Sequence, residues 1–338
     1  MKIFYFILLP IIIYFTSFMM IKYSFLLSQS GDNHQKFAEK KNIPLAGGIF
    51  VLINYLILFH ANFYLFNYFL ILIFILGLFS DIKFIKSPVI RFSLQITIVL
   101  LLVIFNDISI NYTRVNFLDY LLTNNFFNIF FVSFCIIILI NGSNFIDGLN
   151  TLLIGYYLIV SVILYKLNLL DFLGFNSFYF LLWIFSLAFL YFFNFFKKIF
   201  MGDSGAYVLG LIIGFTLIKL YQVYNNISPF FIILLLWYPC FELLFSIIRK
   251  LQFKKSPMDP DTKHFHQLLY YYLLKKKIIK NNINSFSSVI INLYNLLILL
   301  IASENIYNSQ FQIFLILINV FFYCYFYFKL FFLRFNKK

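Results

Sequence analysis

Charge is scarce in this chain. Only 11% of its 338 residues are Asp, Glu, Lys or Arg, and just 12 are acidic. With 63% of residues hydrophobic, that composition excludes a soluble globular domain, whose surface needs far more polar side chains. Cysteine is almost absent too. Cys135, Cys240 and Cys324 each fall inside an apolar run and form no CxxC pair, which excludes a disulfide framework. Period-2 alternation between polar turns is missing, and that excludes a lipid-facing β-barrel.

What is abundant is continuous apolar sequence. A helical span needs about 20 mostly apolar residues, and a helix satisfies its own backbone in lipid. The chain is therefore expected to be all-α, a polytopic helical membrane protein. Eleven spans are expected, near 3–28, 45–62, 63–80, 88–106, 126–141, 148–165, 177–194, 205–222, 228–248, 284–303 and 310–331. The first run is too long for a signal-peptide core and is expected to stay as an uncleaved span. An odd count puts the termini on opposite sides. With the N-terminus outside and the C-terminus cytoplasmic, 22 of the 26 lysines and arginines fall on the cytoplasmic side. The outside keeps Lys2, Arg114, Lys166 and Lys219. The net charge of +14 is then explained by membrane topology and calls for no nucleic acid.

The same topology sorts the acids. Asp107, Asp119, Asp171 and Glu304 fall outside. Asp32, Glu39, Asp81, Asp147, Asp203, Glu242, Asp259 and Asp261 fall on the cytoplasmic side, with the least generic segments: "NIPLAGGIF", "GLFSDIKFIKSP", "NGSNFIDGLN", "FMGDSGAYVLG" and "SPMDPDTKHFHQLL". A one-sided cluster points to chemistry on a cytoplasmic substrate. A transporter or lipid scramblase would carry ionisable groups at mid-membrane depth and often internal repeats, and neither is seen.

Asp147 and Asp203 each stand ahead of a span, where Asp is a common N-cap. Asp81 follows a span and is no N-cap of that helix. Three carboxylates at one face suit a hard cation such as Mg2+, which keeps waters and substrate phosphates in its shell. Mn2+ would be an acceptable substitute. Gly47 and Gly48, like the glycines beside Asp147 and Asp203, let either a ligand or another helix approach the backbone. Helix N-termini at this face suit phosphate. Asn141, Asn144 and Asn150 accompany Asp147. Their amides suit a base edge or sugar hydroxyls, and Asn141 equally suits the end of the fifth span. His264 and His266 face the same way if extended, and there suit a phosphate oxygen or a leaving group. Arg249 and the lysines around the pair suit a diphosphate. Pro239 should kink the ninth span, leaving Glu242 to pair with a neighbour.

In this order, the five segments resemble the polyprenyl-phosphate N-acetylhexosamine-1-phosphate transferases, a glycosyltransferase family 4 group that includes the phospho-N-acetylmuramoyl-pentapeptide transferase. "IPLAGG" is similar to the segment opening the second span, and "GLFSD…SPVIRFSLQ" to the aspartate-pair segment. "NGSNFIDGLNTL" is similar to the asparagine–aspartate–glycine motif, and "FNFFKKIFMGDSGAYVLG" to the family's "FN…FMGDxGSxxLG". "RKLQFKKSPMDPDTKHFHQLL" resembles its arginine-to-histidine loop.

The resemblance implies transfer of a sugar 1-phosphate from a UDP-N-acetylhexosamine to undecaprenyl or another polyprenyl phosphate, with release of UMP. The product would be a lipid-linked diphosphosugar that initiates an O-antigen-like envelope polysaccharide. It implies a bacterial inner-membrane location, lipid contact and an active site on cytoplasmic loops near 29–44, 81–87, 142–147, 195–204 and 249–283. It leaves a homodimer open. Asp203 matches the magnesium ligand, and Asp81 the acid that activates or positions the lipid phosphate. Asp147, a second candidate ligand, and Asn144 match the nucleotide-sugar site, with Asn141 and Asn150 beside them. His264 and His266 match histidines that handle the diphosphate or sugar. Arg249, Gly47, Gly48 and Lys41 are candidate substrate contacts. The chain departs from the pattern at Ser80, where the first paired aspartate is expected, at Gln267, where a third histidine is usual, and at Ala206, where serine is common. Alternatives are peptidoglycan-type phospho-N-acetylmuramoyl-pentapeptide transfer, a lipid transporter, or a non-catalytic member disabled at Ser80.

Overall fold

The computed structural model describes residues 2–28, 42–257, 259, 261–277 and 282–335, with side chains from Leu9 onward in the first helix. Lys41 and most of the 29–44 loop lie outside the described residues. The elements are α1 (Lys2–Lys22), α2 (Gly47–Phe59), α3 (Tyr64–Asp81), α4 (Pro88–Phe105), α5 (Asn116–Leu122), α6 (Asn125–Ile146), α7 (Leu152–Lys166), α8 (Ser177–Phe195), α9 (Gly202–Val223), α10 (Pro229–Leu235), α11 (Trp237–Gln252), α12 (Phe265–Lys276), α13 (Ile283–Ser303) and α14 (Ser309–Phe335). Among the described residues there is no named strand, only one isolated bridge between Leu27 and Pro44. The chain is a multi-pass helical membrane protein.

Among the described residues, seven helices (α3, α4, α6, α8, α9, α13 and α14) are long and apolar enough to cross a bilayer. Three shorter apolar helices fall within the expected first, second and sixth spans: Leu9–Lys22 of α1, α2 and α7. The expected ninth span is not one kinked helix. It is a pair, α10 and α11, meeting at 77°. Pro239 explains the break. Its ring cannot donate to the carbonyl of Leu235, and that oxygen instead accepts from Tyr156 Oη at 3.0 Å. Helix starts follow local chemistry. Ser87 and Ser228 cap α4 and α10, each with proline at the first helical position, and Asn124 and Asn176 cap α6 and α8.

The core is built around α9, in which every residue from Ser204 to Ile218 is buried. It packs chiefly on α3, α6 and α2. Small residues make that possible, as is usual where helices meet without a hydrophobic driving force. A Cβ on Gly48 would come within 2.6 Å of the Gly205 amide, and one on Gly214 within 3.0 Å of Leu139. A Cβ on Gly47 would strike Met201 at 2.6 Å. Gly47 and Gly48, expected as substrate contacts, are buried in this packing.

The bundle has two polar ends. At one, Lys166 pairs with Glu304 at 2.9 Å, Arg114 donates to the carbonyls of Tyr307 and Asn226, and Lys219 donates to that of Asp107. These are the residues expected outside. The opposite end gathers Asp81, Arg91, Asp147, Asp203 and the histidine pair.

Candidate active site

The site is assembled from helix ends. α3 ends on Asp81, α4 begins one turn before Arg91, α6 stops just before Asp147, and α9 starts at Gly202. Asp203 is not an N-cap by its side chain. Met201 holds the cap position, and the Asp203 carboxylate turns to its neighbours. Arg91 Nη1 pairs with Asp203 Oδ2 at 2.9 Å. The Ser80 hydroxyl donates to the same oxygen and accepts from Arg91. Asn144 Nδ2 donates to Asp203 Oδ1 at 2.7 Å.

Asp81 takes the part that position alone offered Asp203: it caps a helix. Its Oδ1 accepts from the Asp203 amide at 2.7 Å, and its Oδ2 from the Ser204 amide at 3.1 Å and the Ser204 hydroxyl at 2.7 Å. The capped helix is α9, 122 residues away in sequence. Gly202 is required here. Its φ is +70°, and a Cβ would lie 2.7–2.8 Å from the Asp81 carboxylate oxygens.

Asp147 also departs from the N-cap expectation. It is the C-cap of α6, and the N-cap position of α7 belongs to Thr151. Its side chain has no hydrogen-bond partner among the described residues. Desolvation, then the charges of Asp203 and Asp81, push its carboxyl well above the usual range. The donors at this end fit a hard divalent cation: they are carboxylate oxygens, and one acid of the cluster is unpartnered. Among the described residues no three His, Cys, Asp or Glu side chains close into a ligand set by themselves. A cation here would complete its shell with water and substrate oxygens.

The end of α6 also meets the histidine loop. The Phe145 ring stands edge-on to His264, with centroids 5.1 Å apart, and His266 Nε2 faces the backbone of Gly148. His264 is the N-cap of α12, and Gln267 closes a capping box with it. The expected third histidine is thus replaced by a capping residue. The two imidazoles face the same way, stacked at 5.5 Å and 10°. His264 Nδ1 lies 3.0 Å from Glu242 Oε1, and Glu242 also accepts from the Phe265 amide and Tyr323 Oη. Arg249 is buried and holds the loop, bonding Asp261 at 2.8 Å, Ser246, the Lys263 carbonyl and Tyr327. Burial alone would raise Asp261; His264, the Lys263 amide and Arg249 together hold it below its usual range. Asn141 bonds Gln95 and the Ile137 carbonyl within the bundle. Asn150 gives its backbone amide to Asn284.

His266 is fully buried, and neither ring nitrogen has a partner among the described residues. Desolvation lowers its pKa to about 3. The folded state holds the ring neutral while the unfolded chain protonates near 6.5. The stability it contributes is complete above about pH 6.5 and drains as pH falls toward 3. At pH 5 the loss from this residue is about 2 kcal/mol. Melting temperatures of the purified protein should therefore fall more steeply between pH 7 and pH 5 than those of His266→Gln. Parallel curves would contradict this.

Arg91 and Ser80 were not assigned a role from sequence. A lone arginine one turn into an otherwise apolar helix that starts at the charged end was the available signal.

Comparison with known proteins now adds to the geometry. The profile described as "Glycosyl transferase family 4" matches residues 63–221, which contain Asp81, Asp147 and Asp203. The chain is 28% identical over 227 residues to the undecaprenyl-phosphate alpha-N-acetylglucosaminyl 1-phosphate transferase of Thermotoga maritima, covering 67% of each chain. It is 30% identical over 153 residues to the decaprenyl-phosphate N-acetylglucosaminephosphotransferase of Mycolicibacterium smegmatis, covering 39% of this chain and 37% of that one. A probable undecaprenyl-phosphate N-acetylglucosaminyl 1-phosphate transferase of Bacillus subtilis is 38% identical over 82 residues, 23% of this chain and 22% of its own. With the aspartates, arginine and histidines gathered at one end of the bundle, the chain is thus similar to polyprenyl-phosphate N-acetylglucosamine-1-phosphate transferases, and its residues 63–221 match glycosyl transferase family 4.

Proposed function

We propose that the protein transfers N-acetylhexosamine 1-phosphate from a UDP-sugar to undecaprenyl or a related polyprenyl phosphate, at the cytoplasmic face of a bacterial inner membrane. The product would start a cell-envelope polysaccharide. One observation carries the reading: Asp81, Asp147, Asp203 and Arg91 cluster at the end of α6, where Phe145 and Gly148 pack against the His264–His266 pair.

In the reaction an oxygen of the lipid phosphate attacks the sugar-bearing phosphorus of the donor. The bridging P–O bond breaks, and its electrons leave with the oxygen on UMP. The attacking phosphate is already anionic, so no strong base is needed. The protein's task is to position groups and offset charge. Arg91 supplies a guanidinium beside Asp203. Asn144 holds the other Asp203 oxygen. His266 stays neutral, its ring set against Gly148 beside Asp147. Mg2+, held through Asp203 and Asp147, would neutralise diphosphate charge.

The names of the relatives make N-acetylglucosamine the first sugar to test. Purified protein with UDP-N-acetylglucosamine, polyprenyl phosphate and Mg2+ should release UMP and move the sugar label into the lipid extract. No UMP from any member of a UDP-sugar panel would overturn the proposal.

A further inference from the structure

We propose that Asn194, Asn284 and Asn292 are positioning residues that clamp the turn between α6 and α7 and so fix where Asp147 stands. The inference rests on the transferase reading for Asp147's importance. α13, which supplies two of the three, lies wholly outside the matched residues 63–221.

The turn needs holding. Thr151 sits at φ +67°, in the left-handed region that a β-branched residue enters at a cost. Such a conformation persists only where its surroundings over-determine it. Here three buried amides do so. The Thr151 amide donates to Asn194 Oδ1. The Thr151 carbonyl accepts from Asn292 Nδ2 at 3.1 Å. The preceding amide, of Asn150, donates to Asn284 Oδ1 at 2.7 Å. All three asparagines are at most 5% exposed, so each is desolvated and bonded at this turn.

Two further observations give the clamp a direction. Asn194 Nδ2 donates to the Ile199 carbonyl at 2.7 Å, in the segment that leads into Asp203. One side chain thereby sets the Asp147 turn against the approach to Asp203. Gly155 leaves the room that Asn292 uses, since a Cβ there would collide with Asn292 Nδ2. Asparagines that merely joined helices would have no reason to converge on one strained turn, two on Thr151 and one on the amide before it.

The test uses the purified full-length chain and two readouts. Hydrogen exchange of amides 148–155 should rise roughly tenfold in Asn292→Leu, with α3 and α4 unchanged. Adding Thr151→Gly, which adopts the left-handed conformation freely, should restore most of that protection. Turnover should follow, with kcat falling at least roughly tenfold, KM for polyprenyl phosphate held, and kcat recovering in the double variant. Should Asn292→Leu fail to fold, Gly155→Ala displaces the same amide and must give the same local exchange. Unchanged exchange at 148–155, a rise spread over the whole chain, or a rise that Thr151→Gly does not reverse overturns the clamp. A wild-type protein without turnover would reject the transferase reading, and the exchange arm would still decide the clamp.

Discussion

Asp203→Asn is expected to lower kcat by roughly 10^3-fold while leaving the protein folded. The substitution preserves size and keeps one oxygen able to accept from Arg91 or Asn144. It removes the negative charge at the point where Ser80, Arg91 and Asn144 converge. The pair with Arg91 is partly exposed, at 26% and 28%, so its loss should cost stability about 1 kcal/mol or less. Steady-state kinetics and melting curves on the same preparation separate the two effects. A variant with near-normal kcat would remove Asp203 from the chemistry. A variant that melts far below the wild type would make the carboxylate structural.

The membrane class and the gathering of acids at one end were legible because they are properties of runs and of spacing. Apolar stretches of span length and three aspartates at span ends need no knowledge of contacts. What each aspartate does was not legible. An N-cap is read locally, so Asp203 and Asp147 looked like caps of the helices that follow them. In the folded chain the cap of α9 comes from Asp81, and Asp147 closes α6. The Asp81 cap reaches across 122 residues, and no local pattern encodes it. The α10–α11 break was half legible. Pro239 announced a disturbance, but whether a helix bends or parts depends on what receives the freed carbonyl. Here Tyr156 of α7 receives it. Gly47 and Gly48 were read as candidate substrate contacts, and the structure packs both against α9 and the residues that lead into it.

Ser80 has a physical role of its own. Where the family resemblance leads one to expect a second acid, a hydroxyl both donates to Asp203 and accepts from Arg91. An acid at this position would add a second negative charge beside a single guanidinium. The serine lets one carboxylate match one cation and still satisfies both partners. Ser80 therefore bridges Asp203 and Arg91 without the missing aspartate, which argues against reading it as the mark of a disabled enzyme.

Asp81→Asn tests whether that aspartate acts on substrate or on the fold. Its two oxygens accept three bonds from the first turn of α9. An amide keeps one acceptor and turns an NH2 group toward the Ser204 amide and hydroxyl, leaving at least one donor facing another. Losing such a cap costs about 1–2 kcal/mol. The expected result is a lower melting temperature together with a fall in kcat of roughly 10–100-fold, since Asp203 rides on the same turn. Ser204→Ala should reproduce part of both effects. The double variant should show less than the sum, because the two substitutions remove a shared bond. An essential base would behave otherwise: Asp81→Asn would abolish turnover at an unchanged melting temperature, and Ser204→Ala would add to it independently. The cap reading predicts coupling because the carboxylate that the family resemblance assigns to the lipid phosphate already has its oxygens committed to the helix that carries Asp203.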